Sequence, residues 1–226
     1  MNLKKAVIST VLITSIALSG CTVGSPNNKQ HENEIKSQVE ETEKLNYSID
    51  KELFKDKSRN IAIYYPQIKN YSEKLMNNMN KSLQEIVNIY GNDKTYTDIS
   101  IDYKITKSSN DILSVLFKGK GKLSDIGEIN IMQSINLDMA SSNEMNYENL
   151  IKDKEAVMKI LNEKAKKQGL KDGIEAEGIR IYFKDSNVVF YYMPLDDSAK
   201  EFIEITVPYE EIKEYINESF GEESAN

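Results

Sequence analysis

The chain of 226 residues has no tryptophan, one cysteine, one histidine and four prolines. A lone cysteine, Cys21, cannot close a disulfide within the chain, so the folded part must be held by its core alone. The lone histidine, His31, lies in a polar stretch where nothing holds it in register with a partner. Its position removes Ser-His and Cys-His nucleophile pairs and a histidine-based zinc site, and no metal or cofactor is implied. A spanning helix is missing too. The apolar run from Ala6 to Leu18 falls short of the ~20 residues that cross a bilayer.

That short run has another meaning. Lys4 and Lys5 precede it, and Leu18-Ser19-Gly20-Cys21 follows at once. A positive head, an apolar stretch of ~7–15 residues and small residues at its end read as an export signal. The Cys21 thiol is placed to accept a diacylglycerol, which predicts a lipoprotein anchored on the outer face of the cell membrane. One acyl chain binds a membrane only marginally, so stable attachment needs the two or three chains of a mature lipoprotein. Loss of residues 1–20 removes Lys4 and Lys5 and takes the net charge from −7 to −9. An excess of negative charge disfavours nucleic acid and favours a basic partner.

The expected organisation is a signal over 1–20, a lipidated tether over 21–46, an N-terminal domain over 47–140, a C-terminal domain over 141–221 and a tail over 222–226. The tether is polar, broken only by Val23, Ile35, Val39 and Leu45. Ile61 to Tyr65 reads as a strand stopped by Pro66. Tyr71, Leu75, Met79, Leu83, Ile86, Val87 and Tyr90 then recur at helical spacing, with Asn70 as N-cap and Gly91 as stop. Alternating runs follow, around Ile99 to Ile105, Leu113 to Phe117 and Ile129 to Met139, as in half-buried antiparallel strands. A second helix is expected from Asp153 to Gly169. A hairpin turns at Asp185-Ser186-Asn187, and a strand with Ile203, Ile205 and Val207 leads to a last helix opened by Pro208. The fold class is α+β: antiparallel sheets with one long and two shorter packed helices, in two small subdomains.

The order of motifs supports a resemblance. Tyr64-Tyr65-Pro66-Gln67-Ile68 before a long helix, and Ser134-Ile135-Asn136-Leu137-Asp138, resemble the first of two paired extracytoplasmic domains of unknown function. The Tyr147-to-Ile151 turn, Ile181-Tyr182-Phe183, Val189 to Tyr192 and Val207 to Ile212 resemble the second. The pair stands beside peptidoglycan deacetylase domains and forms the outer part of a lysozyme-sensing anti-sigma factor. The resemblance implies a binding module of the cell envelope, with peptidoglycan or a basic wall-active protein such as lysozyme as ligand. Glu128-Ile129-Asn130 and Ser198-Ala199-Lys200 stand where such domains often have glycines. Only Met1 to Lys5 precede the apolar run, so this chain is not expected to hold a sigma factor itself.

Two other readings stay open, a carboxylate-based wall hydrolase or deacetylase-associated enzyme, and an assembly or spacer lipoprotein. Hydrolysis would use Asp196 with Asp197, or Glu175 with Glu177, set ~5–9 Å apart across a cleft. Neighbours on a strand point to opposite faces, so no catalytic residue is assigned, and no calcium-loop spacing is present. Lys118-Gly119-Lys120-Gly121-Lys122 has no helix after it and reads as an exposed strand end blunted by charge, not a phosphate loop. The candidate ligand contacts are Asp196, Asp197 and whichever of Tyr191 and Tyr192 faces outward.

Overall fold

The computed structural model describes residues 44–170, 173–175, 177–195 and 201–217. The export signal, Cys21, His31 and the tether up to residue 43 lie outside the described residues. So do Asp196, Asp197, the 198–200 segment, Gly221 and the tail.

The fold is α+β. Strands β1 (Ser48–Asp56), β2 (Ile61–Lys69), β3 (Tyr96–Ser108), β4 (Ile112–Leu123) and β5 (Gly127–Asp138) form one sheet in chain order. Strands β6 (Arg180–Lys184), β7 (Asn187–Tyr192) and β8 (Ile203–Pro208) form a second, antiparallel sheet. Neighbours in the large sheet are antiparallel, except β2 and β3, which run parallel and pair at Ala62–Ser100 and Ile63–Ile101. A parallel neighbour needs a crossover, and helix α1 (Glu73–Val87) supplies it.

Helix α1 buries Met79, Leu83, Ile86 and Val87 on the large sheet. The stripe matches the periodicity read from the sequence, but the ends do not. Ser72 is the N-cap, while Asn70 takes a left-handed φ of 59° two residues earlier. The helix runs on through a π-helical turn, Asn88–Asn92, that includes Gly91. Gly91 is needed for space, because a Cβ there would stand 2.7 Å from the Phe54 ring.

Three further expectations are corrected. Strand β1 was not foreseen, since its SIDKELFKD sequence offers few apolar residues. It pairs along the whole of β2 as an edge strand, where one exposed side suits charge. Pro66 does not stop β2; the strand passes through it to Lys69, with Pro66 opposite Lys51. The segment after Pro208 forms two short 3-10 turns, Tyr209–Glu211 and Lys213–Tyr215, where an α-helix was expected. Ile212 and Ile216 are the buried residues there, and Ile216 bridges back to Ile151.

Two hydrophobic cores result. The first gathers buried residues from Tyr47 to Met139 between α1 and the large sheet. The second gathers residues from Met145 to Ile216 between helix α3 (Lys154–Lys167) and the small sheet. Asp153 caps α3 by accepting from the Ala156 amide at 2.9 Å, as its position in the sequence implies. A small third cluster, Leu116, Met132, Tyr182, Val189 and Tyr191, joins the sheets.

The Lys118–Lys122 segment is the C-terminal end of β4, which closes at Leu123, and it lies between β3 and β5. Its glycines face the first core: a Cβ on Gly119 would be 2.3 Å from the Ser100 carbonyl oxygen, and one on Gly121 2.0 Å from the Ile99 side chain. Its lysines face the other way and are exposed.

Two stretches of strand edge end on side chains instead of another strand. Above the short β2–β3 seam, Asn80 of α1 faces Ile68. Its Nδ2 donates to the Ile68 carbonyl at 3.0 Å, and its Oδ1 accepts from the Ile68 amide at 2.7 Å. The outer edge of β6 is satisfied by β4 and β5. Phe183 N–H donates to Ser114 Oγ at 3.0 Å, and the Ile181 carbonyl accepts from Ser134 Oγ at 2.6 Å and Asn136 Nδ2 at 2.9 Å.

Candidate functional site

The Ser134-to-Asp138 motif now has a local explanation. Ile135 and Leu137 point into the first core, and Ser134, Asn136 and Asp138 point to the opposite side. Asn136, 2% exposed, is the hub of the junction between the sheets. Its Nδ2 donates to the Met145 and Ile181 carbonyls, and its Oδ1 accepts from Ser114 Oγ at 2.7 Å. Asp138 accepts from the Ala140 amide and the Ser141 hydroxyl, which fixes the turn that follows β5.

Tyr191 and Tyr192 do face opposite sides of β7, yet neither is exposed, at 0% and 4%. Alternation sends one residue outward only where a sheet has a bare face, and here both faces are covered. Tyr191 lies between the sheets with its hydroxyl 2.9 Å from Ser134 Oγ. Tyr192 lies on the Phe190 side. Nearby, Tyr182 donates to Glu204 Oε2 at 2.6 Å, and Lys118 bonds the other oxygen at 2.7 Å. Burial raises the Glu204 carboxyl, but the bonds from Lys118 and Tyr182 outweigh it and hold the pKa below its ordinary value. Of the other acidic candidates, Glu175 is tied to the Leu195 amide at 2.9 Å, and Glu177 is exposed.

The junction leaves a groove of about 230 Å³ beside the free side of β5, with Gln133, Glu144, Asn146, Glu148 and Arg180 along it. Its geometry is set by local structure. Asn146 and Asn149 form a reciprocal capping box at the short helix α2 (Tyr147–Leu150). Asn149 Nδ2 also donates to the Glu144 carbonyl at 2.7 Å, and Glu144 bridges to Leu137 of β5. The backbone of Glu144 is therefore held from both sides.

Arg180 reaches the Met132 carbonyl at 3.5 Å, and Glu148 pairs with Lys154. Glu144 is different. Although the residue is exposed overall, protein atoms crowd its carboxyl, and that burial, followed by the negative charge of Glu85, pushes its pKa up. Among the described residues no cation forms an ion pair with it. The groove offers amides, one guanidinium and a carboxylate in need of a positive neighbour. Sequence reading missed Gln133, Glu144 and Arg180, because they come from three separate segments and carry no common spacing.

No family model matches the chain, and no curated protein matches it. Solved structures with the same fold are known. A DUF3298 family protein from Bacteroides fragilis NCTC 9343 shares 13% identity over 80% of this chain and 98% of its own, with a TM-score of 0.54. Another from Pseudomonas aeruginosa PAO1 shares 8% identity over 78% of this chain and 96% of its own, with a TM-score of 0.52. These neighbours carry a domain of unknown function, and the likeness is one of fold.

Proposed function

We propose that the chain is a non-catalytic binding module of the cell envelope. In this reading the lipid on Cys21 holds it at the outer face of the membrane, and its ligand is a basic wall-active protein such as lysozyme. One observation carries the ligand choice: the Glu144 carboxyl lines the groove beside Glu148, burial and the negative charge of Glu85 push its pKa up, and it has no ion-pair partner among the described residues. A lysine or arginine presented by a partner would relieve both costs at once, and charge-assisted bonds of that kind are strong. A wall glycan is the second reading, favoured by the Gln133 and Asn146 amides on the same groove. The anchor is tested separately: Cys21→Ala should end incorporation of labelled palmitate, and continued labelling would remove the lipoprotein reading.

The groove makes a paired prediction. A carboxyl whose folded pKa is raised contributes fully to stability below its unfolded pKa, and that contribution is lost as pH rises through the folded value. At neutral pH the Glu144 carboxylate therefore weighs against the fold, so Glu144→Gln should melt slightly higher than the parent. The same change should weaken lysozyme binding about tenfold, or about 1.4 kcal/mol, in calorimetry at physiological salt. A variant that binds lysozyme as well as the parent does would overturn the protein-ligand reading. Parent binding to wall fragments but not lysozyme would select the glycan.

A further inference from the structure

The acidic chain carries one face of opposite sign. On the side of the large sheet away from α1, Lys51, Lys55, Lys104, Lys118, Lys120 and Lys122 emerge from β1, β3 and β4. Asp98, Asp102 and Glu128 oppose them there, and Glu204 borders the patch from β8. Lys51 pairs with Asp102 at 2.8 Å and lies 4.1 Å over the Tyr64 ring; Lys122 pairs with Asp98 at 3.0 Å. Among the described residues Lys55, Lys104 and Lys120 form no ion pair.

The pairing register gives this face its shape. Lys55 stands opposite Ala62, Ala62 beside Ser100, and Ser100 opposite Lys120. Two small residues thus floor a shallow trough between two free lysines, and a groove of about 360 Å³ opens at its Lys55 end. Three strand spacings of ~4.8 Å place the Lys55 and Lys120 backbones ~14 Å apart, while alternate lysines along β4 stand ~7 Å apart. Both distances suit anionic groups recurring every ~7 Å along an extended chain. The cations are all lysines, compact point charges that bind phosphate groups without requiring one fixed orientation.

We infer that this trough binds a linear polyol polymer joined by phosphodiesters, with Lys55 and Lys120 on phosphates two repeats apart. The inference rests on the envelope location in the reading above but not on the Glu144 groove. It also reverses, for this one face, what net charge implies: the sum over the chain repels a polyanion, yet the field near the sheet attracts one, since screening cuts off distant charges beyond ~8 Å.

The test is fluorescence anisotropy of a labelled glycerol-phosphate oligomer with the full chain in detergent. A Lys55→Gln/Lys120→Gln double variant, which breaks no ion pair and should melt as the parent does, is expected to bind at least tenfold more weakly. Its log–log salt slope should be shallower by about 1.4, at ~0.7 for each of two lost phosphate contacts. Glu144→Gln should bind the oligomer like the parent, so unchanged lysozyme binding by that variant would sink only the earlier reading. No binding by the parent, or equal binding by the double variant, would overturn the trough. Equal affinity for a DNA strand of the same charge would replace the polyol ligand with nonspecific polyanion attraction.

Discussion

Gly119→Ala is expected to cost about 3 kcal/mol of stability, the upper part of the range for overpacking one methyl into a filled core. The new Cβ would lie 2.3 Å from the Ser100 carbonyl oxygen and 2.9 Å from the Ile101 Cα, both backbone atoms of β3. Strand β4 is an interior strand, held on its other side by β5, so it cannot back away without breaking pairs. A domain of this size loses ~2–4 °C of melting temperature per kcal/mol, which predicts a fall of roughly 6–12 °C. Gly121→Ala is the internal comparison. Its Cβ would meet the Ile99 Cδ1 at 2.0 Å, the end of a side chain that can rotate, so the loss should be smaller. If Gly121→Ala proved the worse of the two in thermal melts, the backbone-clash account would be wrong.

Asn136→Ala should cost a similar amount for a different reason. Nothing is overpacked; instead the Met145 carbonyl loses its side-chain amide, the Ile181 carbonyl keeps only Ser134, and the Ser114 hydroxyl loses its acceptor. A buried polar group left unsatisfied costs ~1–3 kcal/mol, and the two groups left without that partner, the Met145 carbonyl and the Ser114 hydroxyl, suggest about 3 kcal/mol together. Asn136→Asp separates hydrogen bonding from volume. A carboxyl at a 2% exposed site has a raised folded pKa, so its contribution is intact below the unfolded value near ~3.9 and lost as pH rises past the folded one. The Asp variant should thus match Ala near pH 4 and be clearly less stable at pH 7. Equal stability of the two variants at both pH values would show that water has entered the junction and replaced the amide.

What could be read from the sequence was whatever one periodic pattern decides. The Met79, Leu83 and Ile86 stripe, the helix start at Asp153 and the Asp185 turn each follow from residues close in the chain. Strand β1 escaped because an edge strand needs only a few apolar contacts, here Ile49 and Phe54 on the first core. The last helix was misjudged because Pro208 and two following glutamates suit a helix start locally, while packing of Ile212 and Ile216 on the second core imposes tighter turns. Tyr191 and Tyr192 were read as one inside and one outside, which is sound for a sheet with a bare face. The large sheet on one side and α3 on the other remove that face, and neither is visible in six residues of strand. The Glu144 groove and the Lys55–Lys120 trough depend on register between distant segments. Composition pointed to a basic partner, but only the pairing of β1 to β4 shows where the positive charge collects.

The side-chain endings of β2 and β6 bear on how copies of the protein behave when crowded. A bare strand edge is a template, and a second molecule can add its own strand there and begin a chain of additions that ends in aggregate. Asn80 occupies the Ile68 amide and carbonyl, Ser134 and Asn136 occupy the Ile181 carbonyl, and Ser114 occupies the Phe183 amide. A polar side chain does there what a further strand would do, but it cannot be extended. Polymerisation through those two stretches is thereby closed off, at the cost of making the polar residues of β4 and β5 poor sites for substitution.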